Sequence, residues 1–164
     1  MSTRGSHVDD VRGEIDASGL RFAVIVARFN ADITDSLLEG ALHALQEHGA
    51  AEGDVTTIRV PGAWELPQTA ARAVGTDRFD AVITLGCVIR GETPHFDYVC
   101  QEASLGLGAV ARSSAVPVVF GVLTTDDEGQ ARARAGEGRD NKGYEAAVAA
   151  VQMVHAYRRL EADR

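Results

Sequence analysis

The sequence predicts an α/β fold, a three-layer αβα sandwich built on a parallel sheet, and three observations carry that prediction. Short apolar runs at 22–27, 55–60, 81–85 and 117–123 alternate with longer stretches of helical period, the pattern of strands joined by helices. The run Ala81-Val82-Ile83-Thr84-Leu85 has no polar alternation, as expected of a parallel strand covered on both faces. Each intervening stretch is long enough to return the chain to the same end of the sheet by a right-handed crossover.

Taken in order, residues 1–13 are polar and charged and are expected to form a flexible tail unless a neighbouring subunit captures them. Residues 14–164 make one domain by length. Strand 22–27 leads through Arg28-Phe29-Asn30 into a helix over 33–48, which His48-Gly49 closes as a C-terminal cap. Strand 55–60 gives way to Pro61-Gly62-Ala63-Trp64-Glu65 and a helix over 65–74. After strand 81–85, Gly91 permits a sharp turn, Thr93 is a good N-cap and Pro94 suits the first helical position. Phe96, Val99, Ala103 and Leu107 then fall on one face of a helix over 94–112. The run 117–123 precedes helices over 127–136 and 142–161; in the latter Ala146, Ala150, Val154, Tyr157 and Leu160 recur near helical spacing.

Composition narrows the function classes. The 164 residues are 45% hydrophobic, ordinary for a globular chain, and the net charge is −8 with basic residues scattered. That leaves no electrostatic footprint for nucleic acid or an anionic membrane. No apolar run approaches the roughly 20 residues of a membrane span, and the polar start of the chain lacks a signal-peptide core, so a cytoplasmic location is expected. Cys87 and Cys100 are the only cysteines; neither belongs to a CxxC or metal-spaced set, and both read as reduced structural thiols.

A parallel sheet of this kind binds ligands at the carboxyl ends of its strands. Four segments are expected to converge there: Phe29-Asn30, Gly62-Ala63-Trp64-Glu65, the stretch from Cys87 to Thr93, and Phe120-Gly121 at the end of the fourth strand. A helix starting near Thr93 offers free N–H groups and a positive dipole end, worth about 0.3–1 kcal/mol to an anion and about 2 kcal/mol when partly buried. His95 would stand within reach of whatever that anion is attached to. The arrangement suits a phosphorylated substrate.

The segment Gly86-Cys-Val-Ile-Arg-Gly-Glu-Thr-Pro-His-Phe-Asp-Tyr-Val99 resembles the core of lumazine synthases. Four further blocks follow the family's order: Ala27-Arg28-Phe29-Asn30, Val60-Pro61-Gly62-Ala63-Trp64-Glu65-Leu66-Pro67, Pro117-Val118-Val119-Phe120-Gly121-Val122-Leu123-Thr124-Thr125, and Asn141-Lys142-Gly143. The resemblance spans residues 14–160 and implies a four-stranded, flavodoxin-like sheet. It further implies condensation of 5-amino-6-(D-ribitylamino)uracil with 3,4-dihydroxy-2-butanone 4-phosphate, releasing phosphate and water, with no metal or redox cofactor. A homopentamer with sites at subunit interfaces is implied too. A sixty-subunit shell and riboflavin synthase stand as the further candidate assembly and partner.

Individual residues carry two readings each. Phe29 is either a core aromatic or a flat platform beside the Asn30 amide; in the family an aromatic here stacks on the pyrimidine. Glu65 is a helix-start acid facing the dipole, and the family's equivalent glutamate also binds ribityl hydroxyls. Gly62 and Ala63 are small where backbone must approach a ligand, and Trp64, often phenylalanine in the family, would contribute through its backbone. A lone histidine in a first helical turn is more often a surface or core residue, but beside an anion cradle His95 reads as the proton donor and acceptor. Cys87, Val88 and Ile89 would offer backbone, and the phosphate would sit on the Glu92 and Thr93 amides. Phe120 completes the expected set.

Two cations are assigned only through the resemblance, which brings each from the adjacent subunit. Arg134, in Arg134-Ala135-Gly136, would meet the phosphate; without the family it reads as part of a solvated helix face. Lys142 would contact the pyrimidine. It is the single lysine beside fifteen arginines, and a compact point charge suits approach to a carbonyl, although helix initiation or chance explains it equally well unaided. The family often reads Gly-Thr-Lys-x-Gly-Asn-Lys-Gly where this chain has Gly136-Glu137-Gly138-Arg139-Asp140-Asn141-Lys142-Gly143, a departure that bears on phosphate affinity and on contacts between assemblies. The competing reading is a non-catalytic protein, either a flavin- or lumazine-binding module or a shell-forming paralogue, since fold alone does not assign function.

Overall fold

The computed structural model describes residues 15–162; the expected tail, residues 1–13, lies outside them. Strands β1 (Phe22–Ala27), β2 (Val55–Val60), β3 (Ala81–Ile89) and β4 (Val118–Thr125) form one sheet in the order β2-β1-β3-β4, every neighbouring pair parallel. The helices are α1 (Ala31–Glu47), α2 (Leu66–Gly75), α3 (His95–Ser113), α4 (Glu128–Arg134) and α5 (Lys142–Ala162), with 3₁₀ turns at Glu52–Asp54 and Ala63–Glu65. This is the expected three-layer sandwich in its flavodoxin-like form.

The central strands show why the sheet is parallel. All six residues of β1 are buried, as are Ala81 through Cys87 of β3. One face of the sheet presents Phe22, Val24, Val26, Ile83 and Leu85 to a core completed by Leu37, Leu45, Ala147 and Val151 of α1 and α5. The other presents Ala23, Ile25, Val82 and Val122 to Leu66, Ala70, Ala103 and Leu107 of α2 and α3. Burial of a side chain such as Ile83 or Leu66 contributes about 1.5–3 kcal/mol, so both faces must be apolar along the inner strands. The edge strand β2, Val-Thr-Thr-Ile-Arg-Val, needs only partial cover and accordingly mixes polar and apolar residues.

Two strand ends differ from expectation. β3 runs four residues past Leu85, with Gly86, Cys87, Val88 and Ile89 paired to Val122, Leu123, Thr124 and Thr125. The β-branched Val88, Ile89, Thr124 and Thr125 favour extended backbone and outweigh the glycine. Because β4 continues to Thr125, Phe120 sits opposite Thr84 in mid-sheet, not at the strand's carboxyl end. It is 47% exposed. Nor does Thr93 cap α3: the capping position is Pro94, in right-handed helical conformation and without a side-chain cap. Its carbonyl accepts from the Asp97 amide at 2.9 Å. His48 does close α1, with Gly49 at φ +102°. In α5 Ala146, Ala150 and Val154 are buried as expected, whereas Leu160 is exposed, because the last turns carry no core contact.

Candidate active site

Strand order fixes where a ligand can sit. From β1 the chain steps one way to β2 and the other way to β3 and β4, so the crevice at the carboxyl ends lies between connections that diverge to opposite faces. A cleft of about 820 Å³ occupies that place, lined by Phe29, Pro61 to Glu65, Cys87 to Ile89, Gly91, Thr93, His95, Phe96, Tyr98 and Val99. That volume is within the range of small-molecule sites.

Backbone pairing brings the walls together. Beyond the strand ends, Arg28 N–H donates to the Val60 carbonyl at 2.8 Å and Phe29 N–H to the Pro61 carbonyl at 3.0 Å, which sets the phenyl ring beside the Pro61-Gly62 segment. Asn30 adopts the left-handed conformation, φ 61° and ψ 51°, one that asparagine tolerates better than most residues. Its side-chain amide donates to the Cys87 carbonyl at 2.9 Å. Asn30 thus pins the end of β1 to β3 and does not itself line the cleft. Glu65 Oε2 accepts from the Gly62 N–H at 3.0 Å, closing the turn and fixing the carboxylate at the cleft wall.

The third wall is the loop into α3. Arg90 N–H continues the sheet to the Thr125 carbonyl at 2.8 Å, its Nε meets Asp126 Oδ1 at 2.9 Å, and its guanidinium lies 4.5 Å from the centre of the Phe96 ring. The first turn of α3 is thereby held against the sheet edge, with His95 exposed at the cleft and first-turn amides beside it. Glu92, by contrast, is not among the lining residues, whereas Gly91 and Thr93 are. Burial pushes the Cys87 thiol up to about 11, so at neutral pH it is neither thiolate nor nucleophile. Both cysteines are free.

Fifteen residues line the cleft, and its largest aromatics are well exposed. Phe29 is 71% exposed and Trp64 50%, and neither arginine nor lysine lines the cleft. Arg134 stands at the end of α4, its Nη1 donating to the Gln130 carbonyl at 2.9 Å, and Lys142 opens α5, 2.8 Å from Glu145 Oε2. Both are exposed and outside the cleft, as is Phe120. Arg139, beside the glycine that replaces the family's first lysine, is committed to Glu47 Oε1 at 3.0 Å. Tyr98, Phe96 and Val99 line the cleft although sequence reasoning did not place them there; the i, i+3 spacing of His95 and Tyr98 on one helix face was the available signal.

Residues 19–158 match the family model of 6,7-dimethyl-8-ribityllumazine synthase. A 6,7-dimethyl-8-ribityllumazine synthase of Chlorobaculum tepidum is 46% identical over 153 residues, which cover 93% of this chain and 99% of the relative. The chain belongs to the lumazine synthase family. Membership makes it a transferase of riboflavin biosynthesis, and the cleft brings together an exposed aromatic, Phe29, a carboxylate, Glu65, and a histidine at a helix start, His95. Among the described residues no group of three or more His, Cys, Asp or Glu has a metal-holding arrangement, and no helix is long and apolar enough to cross a membrane.

Proposed function

We propose that the chain condenses 5-amino-6-(D-ribitylamino)uracil with 3,4-dihydroxy-2-butanone 4-phosphate to give 6,7-dimethyl-8-ribityllumazine in this cleft. The observation that carries the assignment of residues is the convergence of Phe29, Glu65 and His95 on one crevice at the switch point of the sheet. Phe29 stacks on the pyrimidine; Glu65 and the Gly62-Ala63-Trp64 backbone take the ribityl chain; Cys87, Val88 and Ile89 present main-chain groups from β3. The phosphate rests at Thr93 and the adjoining amides, Glu92 contributing its N–H alone. An amine that displaces a carbonyl oxygen must shed protons while the departing oxygen gains them, and His95 performs that transfer, worth about 10²–10⁴-fold. Holding the two substrates together supplies much of the remainder.

The cleft's own rim offers no cation for a dianionic substrate, and its aromatics are largely bare. Both facts support a site completed by a second copy, which brings Arg134 to the phosphate and Lys142 to the pyrimidine, with Phe120, exposed on the edge strand β4, another contact. The assembly is a homopentamer, the location cytoplasmic, and riboflavin synthase the enzyme that receives the product. The direct test incubates the purified chain with both substrates and follows the fluorescence of the lumazine formed. Product formation supports the enzyme reading; tight lumazine binding without turnover would favour the binding-module reading instead.

A further inference from the structure

Asn141, the residue just before α5, is 3% exposed and spends its whole side-chain amide on the fold. Nδ2 donates to the Ser36 carbonyl of α1 at 3.0 Å and to the Gly136 carbonyl at 2.8 Å, while Oδ1 accepts from the Gly143 N–H at 2.8 Å and the Tyr144 N–H at 3.1 Å. One amide therefore ties together α1, the loop after α4 and the first turn of α5. The surroundings are cut to fit it: a Cβ at Gly40 would lie 2.3 Å from Asn141 Oδ1, and one at Gly143 1.9 Å from the Leu37 carbonyl oxygen. Gly138, at φ +88°, lets the intervening loop turn back, and its carbonyl accepts from the Asn141 N–H at 3.3 Å. Arg134 precedes this knot by two residues at Gly136, and Lys142 follows it at once.

We propose that Asn141 is a positioning residue for the reaction, setting the distance and direction between Arg134 and Lys142 so that one subunit delivers both cations in register to its neighbour's cleft. The inference rests on the shared-site reading of those two cations. A displacement of about 1 Å at such groups costs on the order of 10²-fold in rate, and the buried amide, with four satisfied bonds, resists it. Substitution by serine keeps an oxygen for capping α5 but cannot reach both carbonyls. Asn141→Ser should raise the KM for both substrates about tenfold while circular dichroism and the number of subunits per particle stay as in the wild type, and Asn141→Asp, which sets a carboxylate oxygen against two carbonyls, should do so more strongly. In the double variant Asn141→Ser/Arg134→Ala the KM for the butanone phosphate should be no worse than in Arg134→Ala alone, because both changes remove the same interaction. Wild-type KM values in a folded Asn141→Ser protein, or additive effects in the double variant, overturn the proposal. Should Arg134→Ala and Lys142→Ala themselves leave both KM values unchanged, the shared-site reading falls and this inference with it; impairment in those two without impairment in Asn141→Ser removes the positioning role alone.

Discussion

His95 and Arg134 answer different questions at the scale of single side chains. His95 stands on the first turn of α3 at the cleft wall, so His95→Ala should lower turnover about tenfold or more with the fold intact, since substrate positioning survives the loss. Steady-state rates measured beside circular dichroism check this, and unchanged turnover removes the imidazole from the mechanism. Arg134 is not among the residues that line its own chain's cleft, and its Nη1 donates to the Gln130 carbonyl. If it serves the phosphate, Arg134→Ala deletes a charge-assisted contact of about 1.5–3 kcal/mol to one substrate only. The KM for the butanone phosphate should rise far more than that for the uracil, and equal changes in both would exclude a specific phosphate contact.

Between elements, the junction of α1 with α5 combines apolar packing with a polar lock. Beside the Asn141 knot, Tyr144 O–H donates to Glu47 Oε2 and Arg139 Nη2 to Glu47 Oε1, a small polar lock on the loop that joins α4 to α5. The Tyr144 hydrogen bond, and secondarily Arg139, holds the Glu47 carboxyl below the usual carboxylate range, and the same bond pushes the Tyr144 phenol up. A lowered carboxylate contributes stability above its unfolded pKa that is lost as pH falls through the folded value; a raised phenol contributes below its unfolded pKa and loses it as pH rises through the folded value. The stability gap between wild type and Tyr144→Phe should therefore be widest from about pH 5 to 9 and narrow below about 4.5 and above about 10. Urea midpoints across that range test it, and a gap independent of pH would show that the lock does not titrate.

For the whole molecule, the proposed shared site would make assembly part of the chemistry. Mixing Arg134→Ala with His95→Ala subunits, under conditions that exchange them, should restore activity, because some interfaces then combine an intact His95 with an intact Arg134. No recovery in proven mixed oligomers would place the arginine in its own subunit's site. Size is a separate matter. A pentamer carries five times the −8 of one chain, −40 formal charges, and a sixty-subunit shell far more, so growth beyond the pentamer works against self-repulsion that salt screens. Taken from the sequence resemblance alone, the expected particle is a sixty-subunit icosahedron favoured by salt or phosphate. Native mass measurement or electron microscopy across ionic strengths decides it: pentamers persisting at high salt reject the shell, and a monomer undermines the shared site.

Local chemistry determined the layered fold and most of the cleft from sequence alone. Short β-branched-rich runs without alternation, such as Ala81–Leu85, read as strands covered on both faces, and the switch point then places Phe29, Gly62–Glu65 and His95 at one crevice, because strand ends in a parallel sheet all face the same way. Boundaries were less legible. Gly86 interrupts one apolar run and the polar Thr124-Thr125 pair ends the other, yet pairing between β3 and β4 keeps both segments extended, and that shift moved Phe120 from the strand end to mid-sheet. Only tertiary structure could give Asn30 its bond to Cys87, 57 positions away, or Asn141 its bond to Ser36, 105 positions away. A side-chain amide looks the same in any sequence; whether it reaches a ligand or a distant carbonyl depends on which backbone the packed helices and strands bring within 3 Å of it.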